Sequence, residues 1–201
     1  MKNNSIKSKF IITITVVSLL FNFYLFKQNY RKHEIIIKEY TDEILNAKSY
    51  LRDAYNQFNN ISDIMTTKRL YTLQNNLESA QEYLYRFGRY FNYTGEKSMS
   101  GFTFGRRYLD AYIYTVEEWI EAVEDKNSKE ILSVDELESF KKDLKNIIDK
   151  LDNKFLKKGE NYYYYSIDDL TYYELHNIFE ELVKETSNER INYYLKTLLE
   201  L

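Results

Sequence analysis

The chain has 201 residues, no cysteine and no proline, and 28 Lys and Arg against 31 Asp and Glu, for a net charge of −3. The missing thiols exclude a disulfide scaffold and cysteine catalysis. Charges of alternating sign with an acidic balance argue against nucleic-acid binding, which concentrates basic charge on one face.

Residues 10–26 read FIITITVVSLLFNFYLF, a stretch without charge behind a tail that carries Lys2, Lys7 and Lys9. Seventeen residues at about 1.5 Å each make a helix of roughly 25 Å, a little short of the roughly 30 Å of bilayer hydrocarbon. Lys7, Lys9 and Lys27 can lie along the apolar zone and reach the headgroups, and Tyr24 suits an interface position. No small-residue cleavage site follows the run, which therefore reads as a permanent signal anchor and not as a removable signal peptide. The absence of cysteine also excludes a lipoprotein. Basic residues flank the run almost equally, with Lys27, Arg31 and Lys32 after it. The short acid-free tail then decides the orientation: residues 1–9 are expected in the cytoplasm and the bulk of the chain outside it. The Asn22 amide either bonds across to a second copy, an effect of about 0.6–2 kcal/mol, or lies among the headgroups; its place near one end favours the headgroups.

Average usage near 5% would supply about ten prolines in a chain of this length, so their absence points to helices. Tyr40, Ile44, Ala47, Leu51, Ala54, Phe58, Ile61 and Met65 follow steps of three and four, which keeps one stripe toward a partner helix. Leu70, Leu73, Leu77, Ala80, Leu84, Phe87 and Phe91 do the same. Between the two runs the step is five, so the helix either continues with a skip or reverses. Without Gly, Pro or Asn at residues 66–69, continuation is the expectation: one continuous or kinked helix over 28–92. The region 27–65, which holds its early part, reads as a stalk or bundle-extending helix. Its stripe would be covered by a coiled-coil homodimer or by the chain's own C-terminal helix. Gly88, Gly95, Gly101 and Gly105 fall close together and predict one long irregular connection, with Gly159 marking another.

Leu109, Tyr112, Ile113, Val116, Ile120 and Val123 predict a helix over 102–126. The next opens at Ser133 with Glu136 three residues on, a capping box, and carries Leu137, Phe140, Leu144, Ile147, Leu151 and Phe155. Another follows the Ser166 cap with Leu170, Leu175, Ile178, Phe179, Leu182 and Val183. A second capping pattern, Thr186 to Glu189, sets off Ile191, Tyr194, Leu195 and Leu198 as a separate short helix. The fold class is all-α: a single N-terminal transmembrane helix, then an antiparallel bundle of about four helices at residues 66–201, with a long first helix.

Chemistry is sparse. His176 and Glu180 share a helix face but lack further ligands, and paired Glu-x-x-His motifs are absent. The other histidine, His33, has no such neighbour. The stretch from Gly101 to Gly105 lacks a nucleophile elbow, and Gly95 to Ser98 lacks the upstream glycine of a phosphate loop. Lys97, Arg106 and Arg107 at a helix entrance, and the acidic strip of Glu117, Glu118, Glu121, Glu124 and Asp125, read as solvated surface. Tyrosine is over-represented at 21 residues. The run Tyr162, Tyr163, Tyr164 and Tyr165 is expected as an exposed loop and, with Trp119, as the partner-binding surface.

No cofactor, metal or catalytic residue is expected. The predicted function is that of a membrane-anchored extracytoplasmic interaction protein binding an envelope partner or itself. Two alternatives are a small-ligand sensory bundle and a phage-exclusion or bacteriocin-immunity factor. A bacterial source fits the composition: Lys outnumbers Arg 20 to 8, and alanine and glycine are scarce. That is the usage of AT-rich codons, as in a low-GC Gram-positive bacterium or its phages.

Overall fold

A computed structural model gives the backbone of residues 2–59, 66–94, 100–125, 133–159, 163–167 and 172–199. Side chains are described for these residues except 2–13, 90–94, 100–104, 163–165 and 172–173. The chain divides into two units, Met1–Glu39 and Tyr40–Leu201, and the boundary falls within helix α1 (Lys2–Asn56).

In the first unit, ten large side chains between Ile14 and Phe26 are 37–69% exposed. Among the described residues no helix is long and apolar enough to cross a membrane. The span expected over residues 10–26 begins ahead of Ile14, so its first four side chains lie outside those described.

The second unit is a helical bundle. After α1 come a 3-10 turn (Gln57–Asn59), α2 (Thr67–Thr94), α3 (Ser100–Glu124), α4 (Val134–Phe155), strands β1 (Leu156–Lys158) and β2 (Tyr163–Tyr165), α5 (Tyr172–Glu185) and α6 (Glu189–Leu199). Pairs of contacts at opposed sequence positions fix the directions. Gln74 meets Glu117 while Gln81 meets Asp110, so α2 and α3 are antiparallel. On α4, Lys154 meets Glu174 and Lys150 meets Glu181, which sets α5 antiparallel to it. Arg107 donates to the Leu198 carbonyl and Arg190 pairs with Glu118, which sets α6 antiparallel to α3.

The continuous helix expected over 28–92 is corrected. α1 ends at Asn56, and the chain returns so that Tyr50 stacks on Tyr83 with ring centroids 5.5 Å apart. The cause lies in the turn. Phe58 closes the α1 stripe by packing on Phe140 at 5.5 Å, and Arg69 donates to the Gln57 carbonyl at 3.4 Å. The Thr66 carbonyl accepts from Arg69 N and Leu70 N to open α2. The chain therefore reverses between α1 and α2.

The apolar stripes form the core. From Tyr40 to Phe58 and from Leu70 to Phe87 the stripe members are 0–6% exposed. Helix α3 is the most enclosed: Tyr108, Leu109, Ala111, Tyr112, Thr115, Val116 and Trp119 are all 0–1% exposed. Ile61, Met65 and Leu170 lie outside the described residues, as does the Phe91 side chain.

The long glycine-marked connection is also corrected. Gly88 lies in α2, and Gly101 and Gly105 lie in α3; Gly95 is outside the described residues. At Gly105 a Cβ would stand 2.9 Å from two carbons of the Phe179 ring, which is itself 2% exposed. Glycine there lets α5 approach α3. Gly105→Ala exchanges an overpacking cost against about 1 kcal/mol of helix propensity, whereas Gly105→Leu is expected to lose about 2–3 kcal/mol, read as a lower urea midpoint.

The tyrosine run is not simply a loop. Tyr163–Tyr165 is a strand, paired antiparallel with β1 in the register Leu156↔Tyr165, Lys157↔Tyr164 and Lys158↔Tyr163. Ser166 N donates to the Phe155 carbonyl at 3.0 Å, tying the hairpin to the end of α4. Consecutive aromatic residues favour extended backbone. Tyr162 lies outside the described residues, and the side chains of the other three are not among those described.

Candidate functional site

The densest polar chemistry gathers where the start of α4, the elbow between α5 and α6, and the second half of α3 converge. Ser133 caps α4 and accepts from Glu136 N at 3.1 Å. Only that half of the expected capping box forms. The Glu136 carboxylate turns away and accepts from Trp119 Nε1 at 3.1 Å and from Arg190 Nε at 2.8 Å.

The second capping signal is shifted. Thr186 Oγ1 donates to the Leu182 carbonyl and meets the Tyr108 hydroxyl at 3.1 Å, so it belongs to the end of α5. The cap of α6 is Asn188, whose Oδ1 accepts from Arg190 N at 3.1 Å and Ile191 N at 3.0 Å. Its Nδ2 donates to the Glu136 carbonyl and to Ser139 Oγ, both at 3.0 Å, so the same side chain ties α6 to α4. The expected separate short helix is present.

Beneath the elbow lies Asp143, 2% exposed. Its carboxylate accepts from Ser187 N at 2.9 and 3.0 Å, from Ser187 Oγ at 2.8 Å and from Asn188 N at 2.9 Å. Above it, Arg190 bridges Glu118 and Glu136, and the Tyr194 hydroxyl donates to Glu118. Burial pushes the Glu118 carboxyl up, but the Tyr194 hydroxyl and the Arg190 guanidinium outweigh it and hold the group below the ordinary carboxylate range. Burial, and then Glu118, push the Tyr194 phenol up to about 12. Deeper still, the Tyr108 and Tyr112 hydroxyls meet at 2.8 Å, and burial raises both phenols.

The depressed Glu118 carboxyl has a pH consequence. Its contribution to stability is complete above the unfolded value of 4.5 and is lost as pH falls through its lower folded value. Urea midpoints measured between about pH 6 and 3 should therefore fall more gently for Glu118→Gln than for the parent chain. The effect is modest, because 40% of the Glu118 side chain is exposed and solvent screens the pair.

Part of this network lines an open cleft of about 750 Å³, in which Glu118, Asp135, Glu136 and Glu189 face one guanidinium, Arg190, with three serines and Tyr193. Asp135 and Glu189 stand in the first turns of α4 and α6, where the helix dipole favours them. The arrangement offers carboxylates and hydroxyls for hydrogen bonding. Ser187 donates to a carboxylate, and His176 pairs with Glu180 at 3.1 Å on α5. Among the described residues no group of three or more His, Asp or Glu side chains is arranged to hold a metal.

Trp119, expected at a contact surface, is 1% exposed and packs on Phe140 at 4.8 Å, so its ring belongs to the core. The acidic strip is partly internal. Glu117 accepts from Gln74 at 3.1 Å, and burial, then Glu78, hold its carboxyl above the ordinary value. Arg106 lies over the Tyr85 ring at 5.7 Å, Arg107 caps α6 through the Leu198 carbonyl, and Lys97 is outside the described residues. Asp143, Asn188 and Arg190 escape a reading by motif. The visible signal is an acid set between Phe140 and Leu144 on the buried face of α4. Comparison with protein-family models, curated proteins and solved structures finds no match to this chain.

Proposed function

We propose that the chain is a membrane-anchored helical-bundle protein that acts by binding and not by catalysis. Residues 10–26 hold it in a bilayer, and the bundle, on the extracytoplasmic side, engages an envelope protein or a second copy. One observation carries the anchoring. From Ile14 to Phe26 the helix has no charged residue, and Ile14, Val16, Val17, Leu19, Leu20, Phe21, Phe23, Tyr24, Leu25 and Phe26 are all exposed.

At about 100° per residue these positions surround the helix, so no single groove can cover them. Each apolar side chain gains about 1.5–3 kcal/mol on leaving water, and hydrocarbon is the surrounding that takes all of them at once. The experiment is alkaline carbonate extraction of bacterial membranes expressing the full chain. Retention in the pellet is expected, and recovery in the supernatant refutes the anchor. A cytoplasm-only reporter joined after Leu201 should be silent, and its activity would reverse the orientation.

The cleft of about 750 Å³ favours a second reading, a small-ligand binding bundle. Its carboxylates and serines suit a cationic or polyhydroxylated molecule. A thermal-shift screen of such ligands in which Glu189→Gln abolishes any stabilisation found for the parent chain would favour it.

A further inference from the structure

We propose that the anchor helix pairs with the anchor helix of a second, parallel copy along a polar stripe centred on Asn22; the inference rests on the membrane reading above. Between Ile14 and Phe26 the polar side chains are Thr15, Ser18 and Asn22, together with the phenol of Tyr24. At about 100° per residue Thr15, Ser18 and Asn22 fall within an arc of about 60°, and Tyr24 points the opposite way. With Leu25 the stripe has steps of three, four and three, the spacing that seats one helix against another.

Asn22 carries the argument. Hydroxyls in a helix can satisfy themselves on a carbonyl four residues back, and Thr15 has a partner within the chain. The Asn22 amide has two donors and an acceptor, it is exposed, and none of the described residues hydrogen-bonds it. Asn22 lies near one end of the span, but a further turn of uncharged helix, with Phe23, Leu25 and Phe26, separates it from Lys27, and at that depth in hydrocarbon an amide without partners is strongly disfavoured. A helix of identical sequence inserted in the same direction places a second Asn22 opposite the first, and each amide then donates to the other's oxygen. The orientation is parallel because both copies cross the membrane the same way. The occupant is a second copy because one stripe meeting itself satisfies both amides at once.

The chain has no cysteine, so single replacements give unique thiols. Full-length Thr15→Cys, Ser18→Cys and Leu25→Cys, which keep Asn22, would be oxidised in native membranes beside Val17→Cys, Leu20→Cys and Tyr24→Cys. Disulfide dimers are expected at the first three positions, with roughly tenfold less at the last three, as the helical period of about 3.6 residues requires. In the Ser18→Cys background, Asn22→Leu should weaken dimerisation about threefold to thirtyfold, and Asn22→Gln should restore part of it. Cross-linking spread evenly around the helix, no cross-linking, or cross-linking only to a different protein overturns the pairing while carbonate-resistant chain keeps the anchor. Release by carbonate overturns both.

Discussion

Replacing Asp143 with alanine is expected to lower the stability of the bundle by about 3–5 kcal/mol. The carboxylate is 2% exposed and accepts four hydrogen bonds from Ser187 and Asn188, two residues that lie between α5 and α6. Its removal leaves two backbone N–H groups and a hydroxyl without an acceptor, and a buried unmet donor costs about 1–3 kcal/mol. The loss extends further, because Asn188 also caps α6 and holds Glu136 and Ser139. Asp143→Asn keeps the shape and one acceptor but turns an NH₂ toward donors, so roughly half the loss is expected. Urea unfolding followed by far-ultraviolet circular dichroism reads both, and hydrogen exchange should show lost protection at Ser187 and Asn188 in particular. A change below about 1 kcal/mol for the alanine variant would mean that the elbow is held by α6 packing through Ile191 and Leu195 alone.

Much of the fold was legible in the sequence because apolar spacing reports burial directly. Ile44, Ala47, Leu51, Leu70, Leu73 and Leu77 were named from period alone, and each is fully buried. Spacing carries no sign of direction, however. A stripe that skips from Met65 to Leu70 looks alike whether the helix slips or the chain reverses. The reversal has a signal a few residues earlier, in Asn56 and Asn59, because short amides compete with helical hydrogen bonds. Glycine misled in the other direction. In a sequence it signals backbone freedom, whereas at Gly105 what matters is the missing side chain, since the Phe179 ring occupies the space where one would stand.

The site was legible only at its edges. Ser133 and the residues from Thr186 to Glu189 announced helix starts, and helices begin there. What the polar side chains do next depends on partners that are remote in the chain. Glu136 answers to Arg190, 54 residues away, and Asp143 to Ser187, 44 away. Local pattern could place an acid on the buried face of α4 but could not name the donors that make it tolerable. Trp119 shows the same limit. A lone tryptophan beside an acidic strip resembles a contact residue, yet its indole N–H had a carboxylate waiting on Glu136 and its ring a place against Phe140.

Phe140→Ala is expected to cost about 3–5 kcal/mol, as large as the loss of Asp143 but by a different mechanism. Its ring lies 5.5 Å from Phe58, 5.2 Å from Tyr112 and 4.8 Å from Trp119, so it joins the turn after α1 to α3 and α4. None of these neighbours can swing into the vacancy. Trp119 is held at Glu136, Tyr112 at Tyr108, and Phe58 sits in a turn whose Gln57 carbonyl is taken by Arg69. A cavity that cannot collapse costs about 24 cal/mol for each Å³ left open, on top of the lost transfer energy. Phe140→Leu, which refills much of the volume, should cost about 1–2 kcal/mol. Tyr193→Ala, at a ring 68% exposed, should stay within about 0.5 kcal/mol. Urea midpoints for the three variants test this order, and Trp119 fluorescence should shift for Phe140→Ala alone. A small loss there would mean that the aromatic cluster closes over the gap, and that the reversal after α1 is fixed by Arg69 instead of by the ring stacked behind it.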